Sequence, residues 1–411
     1  MDDTTLIEWS RAPARAKAPD ALARRLVHAR LARLREGRLR LHEADRVFDF
    51  GDPARPIDAS LTVLDPAMYA DVALGGSVGA GEAYMLGRWR SDDLTRVLRL
   101  LLRNRDALDA MEGGLARLSA PLRSLFHRLR ANTRDGARRN IAAHYDLGND
   151  FFELVLDETM MYSCALFERP GMSLAEASTA KLDAVCRKLD LRPGDHVLEI
   201  GTGWGGFALH AASRHGCRVT TTTISRRQYE RARERVREAG LADRIEVLLQ
   251  DYRDLGGRYD KLVSIEMIEA IGHQQYETFF ACCADRLVPG GRMLLQSITI
   301  AERHYARARD EVDFIKRYIF PGCCIPSLAA LVQAASAGGS LRTEGVEDIG
   351  IHYADTLAAW RAKLFAHVER VRALGYPDEF VRMWDFYLSY CEAGFAERAL
   401  GDVQMLLVRD R

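Results

Sequence analysis

The chain has 411 residues, 58 Lys plus Arg against 58 Asp plus Glu, and 48% apolar residues, enough for two folded units, one of them with a full α/β core. No run approaches the roughly eighteen apolar residues of a spanning helix, and no short apolar core marks a secretory signal at the N-terminus, so a cytoplasmic location is expected. The eight cysteines, Cys164, Cys186, Cys217, Cys282, Cys283, Cys323, Cys324 and Cys391, show no CxxC pair or Cys/His zinc spacing, which points to reduced thiols and no structural metal.

From the N-terminus, residues 11–40 carry ten Arg or Lys against two acids. Within 21–35, Val27, Leu31 and Leu34 recur at helical spacing among Arg24, Arg25, Arg30, Arg33 and Arg35. Such a helix suits peripheral contact with an anionic bilayer on the inner face of a membrane, at about 1 kcal/mol per basic residue, although a solvated helix face shows the same pattern. Short strands are expected at 39–41, 47–50 and 59–63, with turns at Gly51-Asp52-Pro53 and Gly75-Gly76. The glycines from Gly76 to Gly81 ahead of Trp89 point to close backbone packing. A helix over 94–108 leads into an Arg-rich connector with Gly113-Gly114, Pro121 and Gly136. The expected organisation is a small α+β domain over 1–105, a linker over 106–138 and a catalytic domain over 139–411.

From Asp195, apolar runs of four to six residues alternate with amphipathic segments: 196–200, 206–214, 218–222, 226–239, 245–249, 261–265, 276–287 and 292–300. That pattern predicts a doubly wound, mostly parallel α/β sheet covered on both faces. Helices expected over 327–335, 354–371 and 378–396 would form a cap, with a final edge strand at 403–408.

The first strand ends in Leu198-Glu199-Ile200-Gly201-Thr202-Gly203-Trp204-Gly205-Gly206. Gly201, Gly203 and Gly206 fit GxGxxG, a weak signal shared with dinucleotide dehydrogenases. A nicotinamide site wants an acid at the end of the second strand for the ribose, and here that strand ends in Thr220-Thr221-Thr222-Thr223. Glu199 ahead of the loop and Gln250-Asp251-Tyr252 after the third strand, where Asp251 or its amides can meet an adenine edge, favour a class I methyltransferase.

Further strings are Ala143-His144-Tyr145-Asp146-Leu147-Gly148-Asn149-Asp150-Phe151-Phe152, Met161-Tyr162-Ser163-Cys164-Ala165, Thr223-Ile224-Ser225-Arg226-Arg227-Gln228, Ser264-Ile265-Glu266-Met267-Ile268-Glu269, Tyr318-Ile319-Phe320-Pro321-Gly322 and Tyr390-Cys391-Glu392-Ala393-Gly394-Phe395. Together with the glycine loop they resemble the cyclopropane-fatty-acyl-phospholipid synthase family, which includes the mycolic acid cyclopropane synthases. The resemblance spans about residues 139–411, and the N-terminal unit resembles the lipid-contacting domain of longer bacterial members. It implies a Rossmann-like domain using S-adenosyl-L-methionine (SAM), held by Tyr162, Ser163, Leu198, Glu199, Gly201, Gly203, Trp204, Gly205, Gly206, Thr223, Ile224, Ser225, Gln228, Asp251, Tyr252 and Arg253. It also implies a bicarbonate ion at Cys164, Glu269, Ile298 and Tyr353, with Gln296 standing where many members have His. Ala270 is a second departure. Gln can donate to an anion but cannot titrate, so it is not itself a base. Cys391 matches a residue traditionally marked as active in the family, but an alkene supplies its own π electrons, and a buried structural cysteine is the better reading.

The implied reaction is methyl transfer from SAM to the cis double bond of a phospholipid acyl chain, with bicarbonate deprotonating the resulting cation and the ring then closing. A methylene- or methyl-branched product is the alternative, and methylation of a soluble small molecule a further one. The cation needs a dry wall of aromatic faces, for which Tyr145, Phe151, Phe167, Phe320 and Tyr353 are candidates. A nucleic-acid substrate is disfavoured, because Ile265-Glu266-Met267-Ile268 stands where a base-flipping enzyme would have an NPPY-type string. The sequence leaves a homodimer open.

Overall fold

The computed structural model describes residues 18–109 and 148–410. Tyr145, the start of its motif and most of the Arg-rich linker lie outside the described residues.

The chain forms two compact units that interleave in sequence. The first contains the N-terminal elements together with Glu311–Ile319 and Leu357–Arg398. Its four-stranded sheet has the order β2-β1-β3-β4, from β1 (Arg38–Glu43), β2 (Arg46–Gly51), β3 (Asp58–Val63) and β4 (Trp89–Arg90). The expected strands are all present, preceded by the helix Ala18–Leu31, which buries Ala23, Val27 and Leu31 and exposes Leu22 and Leu26. The glycine-rich stretch lies within the helix Ala67–Met85, broken at Gly76 (φ 59°). A Cβ on Gly81 would meet Phe314 at 2.5 Å and Phe386 at 2.9 Å, so the glycine is there for packing. Asp385, fully buried, accepts from Tyr84 and from Arg361.

The second unit is a seven-stranded sheet of order β10-β11-β9-β8-β5-β6-β7. Its strands are β5 (His196–Ile200), β6 (Arg218–Thr223), β7 (Ile245–Leu249), β8 (Tyr259–Ile265), β9 (Leu287–Ile300), β10 (Leu341–Asp348) and β11 (Leu400–Arg409). From β7 to β9 the pairings are parallel, and β11 runs antiparallel to both β9 and β10. Alternate residues serve opposite faces: Leu198, Leu262 and Leu295 pack with Phe279 and Phe280, whereas Val197, Val263 and Leu294 pack with Phe207 and Val219. Both faces are therefore covered, as the apolar runs required. The strand order reverses at β5, and ligands of such sheets bind beyond the carboxyl ends of the strands at that point.

Two expectations change. The closing strand is β11, and it lies inside the sheet; the edge is β10, whose sequence LRTEGVED buries only Leu341 and carries no strand signal. Of the three helices expected as a cap on 139–411, Leu328–Gly338 stays with that segment and the other two largely do not. Residues 357–398 group with the N-terminal strands, and the predicted helix over 354–371 is two helices, Ile351–Ala366 and Val368–Ala373. Contacts across many residues decide unit membership, and local periodicity does not carry them.

Candidate active site

The turn after β5 is built on backbone freedom. Gly201, Gly203 and Gly205 all have positive φ (105°, 52° and 85°), and a Cβ on Gly203 would meet nothing within 4 Å. Gly201 and Thr202 donate their N–H groups to Thr222 O, 3.0 Å each, which ties the turn to the end of β6. A Cβ on Gly206 would meet Met161 Sδ and Thr159 O, both at 2.6 Å, so residues 159–161 press directly on the start of the helix Gly206–His215.

Around the turn, the residues named for a donor occupy defined places. Trp204 is buried, its Nε1 donates to Asn149 Oδ1 (2.8 Å), and its ring lies 4.8 Å from Phe152, which in turn lies 5.3 Å from Tyr162. Tyr162 continues the row to Phe320 at 6.3 Å. Ser163 Oγ accepts from Lys181 Nζ (2.8 Å). Thr223 Oγ1 donates to Gln228 Oε1 (2.8 Å) and accepts from Ser225 N (3.1 Å), and the Ser225 side chain caps the helix Arg226–Glu238, with Ile224 half-buried between them. Asp251 does not present a free carboxylate to a ligand: Arg253 holds both its oxygens, at 2.8 and 2.7 Å.

Two buried polar atoms here have no partner among the described residues, Glu199 Oε2 and the Tyr252 hydroxyl. Burial pushes the Glu199 carboxyl up to about 8, against the pull of Thr221 and Lys181. A bare glycine turn flanked by an unsatisfied acid and an unsatisfied phenol fits a cationic ligand with polar edges, and so fits SAM.

The second half of the site is a cluster of carboxylates. Glu266, at the end of β8, accepts from Cys164 N and Gln296 Nε2 at Oε1 (2.8 Å each) and from the Tyr353 hydroxyl at Oε2 (2.6 Å). Its backbone is left-handed (φ 49°), a conformation that costs a residue with a side chain on the order of 1 kcal/mol or more. Glu269 accepts from Ser297 Oγ (2.9 Å) and Ile298 N (2.6 Å), while its Oε2 is buried without a partner. Asp402 on β11 shares Gln296 Nε2 (3.0 Å), and Gln404 Nε2 donates to Gln296 Oε1 (3.0 Å), so the amide at 296 is locked in one orientation. The Cys164 thiol is buried, donates to backbone carbonyls and is pushed well up by burial; its role here is through its N–H.

Burial raises the carboxyls of Glu266, Glu269 (to about 8) and Asp402, the last also because Glu266 and Glu269 lie near. Three donors favour the charged form of Glu266, whereas Asp402 has one, so the shared proton of this pair resides on Asp402. Lys181 is the buried cation facing them, its own pKa lowered by burial despite those charges.

Sequence reasoning gathered Cys164, Glu269, Gln296, Ile298 and Tyr353, and the structure brings all five together. It missed Glu266, on which three of them converge, and Asp402. The usable signal was Gln296: an amide with two N–H groups at a buried position asks for carboxylate acceptors. The implied bicarbonate does not fit. Cys164 N–H, the Gln296 amide and the Tyr353 hydroxyl all end on Glu266, and Ile298 N–H ends on Glu269. A further anion would find those donors taken and would sit beside the ionised Glu266.

Of the other candidates, Cys391 belongs to the first unit, on the helix Asp378–Ala396. Phe151 is buried against Phe152 at 5.6 Å, and Phe167 is half-buried. The fold also brings Cys186, His210 and His215 within 4.8 Å of one another, a grouping invisible in linear spacing.

Among known proteins, the family described as mycolic acid cyclopropane synthetase matches residues 132–405. The chain belongs to this family. It is 38% identical over 98% of its length to a tuberculostearic acid methyltransferase of Mycobacterium tuberculosis, covering 96% of that protein. It is 36% identical to the cyclopropane-fatty-acyl-phospholipid synthase of Escherichia coli, over 84% of this chain and 86% of that one. A solved mycolic acid cyclopropane synthase complexed with SAH and CTAB superposes with TM-score 0.62 at 33% identity, over 66% of this chain and 98% of that chain. The family member described here is a SAM-dependent C-methyltransferase on a class I methyltransferase fold.

Proposed function

We propose that this enzyme adds a one-carbon unit from SAM to the double bond of an unsaturated acyl chain in a membrane phospholipid, giving a cyclopropane acyl chain. The observation that carries the reading is one short stretch of chain: Thr159 and Met161 press on Gly206 at the glycine turn, and Cys164 donates its N–H to Glu266. The donor turn and the carboxylate cluster are thereby spaced by about five residues of a single segment.

When bound, SAM supplies an electrophilic methyl group. Residues of the turn from Leu198 to Gly206, with Tyr162, Ser163, residues 223–228 and the Asp251–Arg253 pair, would hold it. Trp204, Phe152, Tyr162 and Phe320 offer ring faces and exclude water, the requirement of a cation left on an alkene carbon. The names of the relatives support an acyl substrate: one is a cyclopropane-fatty-acyl-phospholipid synthase and another a tuberculostearic acid methyltransferase. The latter, matched over nearly the whole chain, favours a second reading in which the same cation ends as a methylene or methyl branch.

Among the described residues no helix is long and apolar enough to cross a membrane. Contact with lipid is instead proposed for the helix Ala18–Leu31, where Leu22 (63% exposed) and Leu26 (43%) stand in the open beside Arg25.

The deciding experiment expresses the gene in a host fed methyl-labelled methionine and weighs the phospholipid acyl chains. A gain of one labelled CH2 supports a ring or methylene, a gain of CH2 plus two hydrogens a methyl branch, and no labelled acyl chain removes the reading.

A further inference from the structure

Resting on the reading above, we infer that Glu266 is the base of the reaction, a carboxylate supplied by the chain itself in the place where the family resemblance implies an external bicarbonate. The three donors of that implied anion site, Cys164 N–H, Gln296 Nε2 and Tyr353 OH, form a cradle, and Glu266 fills it. An ionised carboxylate has about four acceptor positions on two oxygens. Two donors occupy Oε1 and one occupies Oε2, and the Asp402 carboxyl is hydrogen-bonded to Glu266 as well, so the Glu266–Asp402 pair has room for one further proton, taken from substrate.

Three features suit Glu266 to that role. Its hydrogen bonds hold it ionised while Asp402, across Gln296, carries the proton of the pair. Its left-handed backbone fixes where the side chain is aimed, a strained arrangement of the kind that persists at functional positions. It is half-buried rather than sealed, whereas Asp402 is inaccessible. Gln296 belongs with this arrangement: its two N–H groups serve Glu266 and Asp402 at once, which the single ring N–H of a neutral imidazole facing the same way could not do.

The step balances without a co-reactant. For the ring, a C–H bond of the newly added methyl group breaks, its electron pair forms the new bond to the adjacent cationic carbon, and the proton goes to Glu266. For a methylene, a hydride first shifts from the methyl-bearing carbon to the cationic one, and the C–H electron pair of the methyl then forms the double bond while Glu266 takes the proton. The proton leaves Glu266 for bulk water once product departs.

The test compares wild-type enzyme on vesicles of unsaturated phospholipid in CO2-depleted buffer and in buffer with added bicarbonate. Product formation within about twofold in the two buffers is expected. Glu266→Gln should lose on the order of 100-fold or more in turnover, the scale of general-base catalysis, while SAH affinity measured by calorimetry stays within a few-fold. Glu266→Gly opens the cradle, and added bicarbonate or formate should then restore part of the lost rate. Wild-type turnover that collapses without CO2 and returns with bicarbonate overturns the inference, as does a Glu266→Gln enzyme with full activity. Wild-type protein that binds SAH and yields no modified acyl chain in either buffer takes down the acyl-chain reading and the inference with it.

Discussion

The Tyr353 hydroxyl donates to Glu266 Oε2 over 2.6 Å, and so fixes the charge state as well as the aim of the carboxylate most central to the site. A hydrogen bond to the charged form lowers a carboxyl pKa, and here it works against the upward push of burial. Tyr353→Phe removes the donor, so the Glu266 pKa rises. A base must be deprotonated to act, so the acid limb of the pH–rate profile moves to higher pH. Turnover at neutral pH should fall about tenfold, in line with the loss of one charge-assisted hydrogen bond, and partly recover at alkaline pH. An unshifted acid limb would count against an ionised Glu266.

Glu269 offers a separate reading through stability. Its carboxyl is held at about 8 in the folded chain against an ordinary 4.5, because burial penalises the charged form and Glu266 adds repulsion. Between those two values the folded protein binds more protons than the unfolded chain, so this group's contribution is full below about pH 4.5 and is lost as pH rises through 8. Glu269→Gln keeps an acceptor for Ile298 N–H and removes the titration. The variant's melting temperature should match wild type near pH 5 and exceed it by a few degrees near pH 9, and a difference that grows instead toward low pH would refute the assignment. Its turnover should fall far less than that of Glu266→Gln.

Much of this was legible in the chain. Strands β5, β6, β7 and β8 announce themselves as short apolar or β-branched runs because both of their faces are buried, and the glycine turn shows because positive φ demands glycine. Strand β10 stayed hidden for the opposite reason: an edge strand with one buried residue needs no apolar pattern. Glu266 was passed over because Glu269, three residues on, is the position the family resemblance names, and nothing in the order of residues tells which acid meets Tyr353. Backbone handedness at 266 and the pairing of Gln296 with Asp402 on β11 arise only when the sheet closes.

The glycine turn makes a sharp steric prediction. Gly206→Ala places a methyl 2.6 Å from both Met161 Sδ and Thr159 O. Methionine can swing aside, but a backbone carbonyl cannot, so residues 159–161 must shift, at a cost of about 1–3 kcal/mol. Because the same segment carries Tyr162, Ser163 and Cys164, the shift should weaken SAH binding on calorimetry by about tenfold or more and slow turnover further. Gly203→Ala differs in kind: space is open there, and the cost comes from φ at 52° and from covering backbone a ligand would touch. It should reduce SAH affinity with a smaller change in melting temperature.

The last prediction separates lipid contact from solvated charge on the helix Ala18–Leu31. Its buried side, with Ala23, Val27 and Leu31, already has partners, and Arg24 is committed to Glu43 at 2.7 Å and to the face of Phe48. Leu22 and Leu26 lie one turn apart on the exposed side, with Arg25 and Arg33 exposed as well. If this side meets a bilayer, Leu22→Ser with Leu26→Ser should cut cosedimentation with anionic vesicles severalfold without changing the melting temperature. Each lost leucine contact is worth on the order of 1 kcal/mol. Arg25→Glu should weaken binding to anionic vesicles and leave neutral vesicles unaffected, and salt should weaken wild-type binding as surface charges are screened. Because neither leucine packs in the core, unchanged vesicle binding in the double variant would assign the exposed leucines to ordinary surface and move the search for the lipid-contacting face elsewhere on the protein.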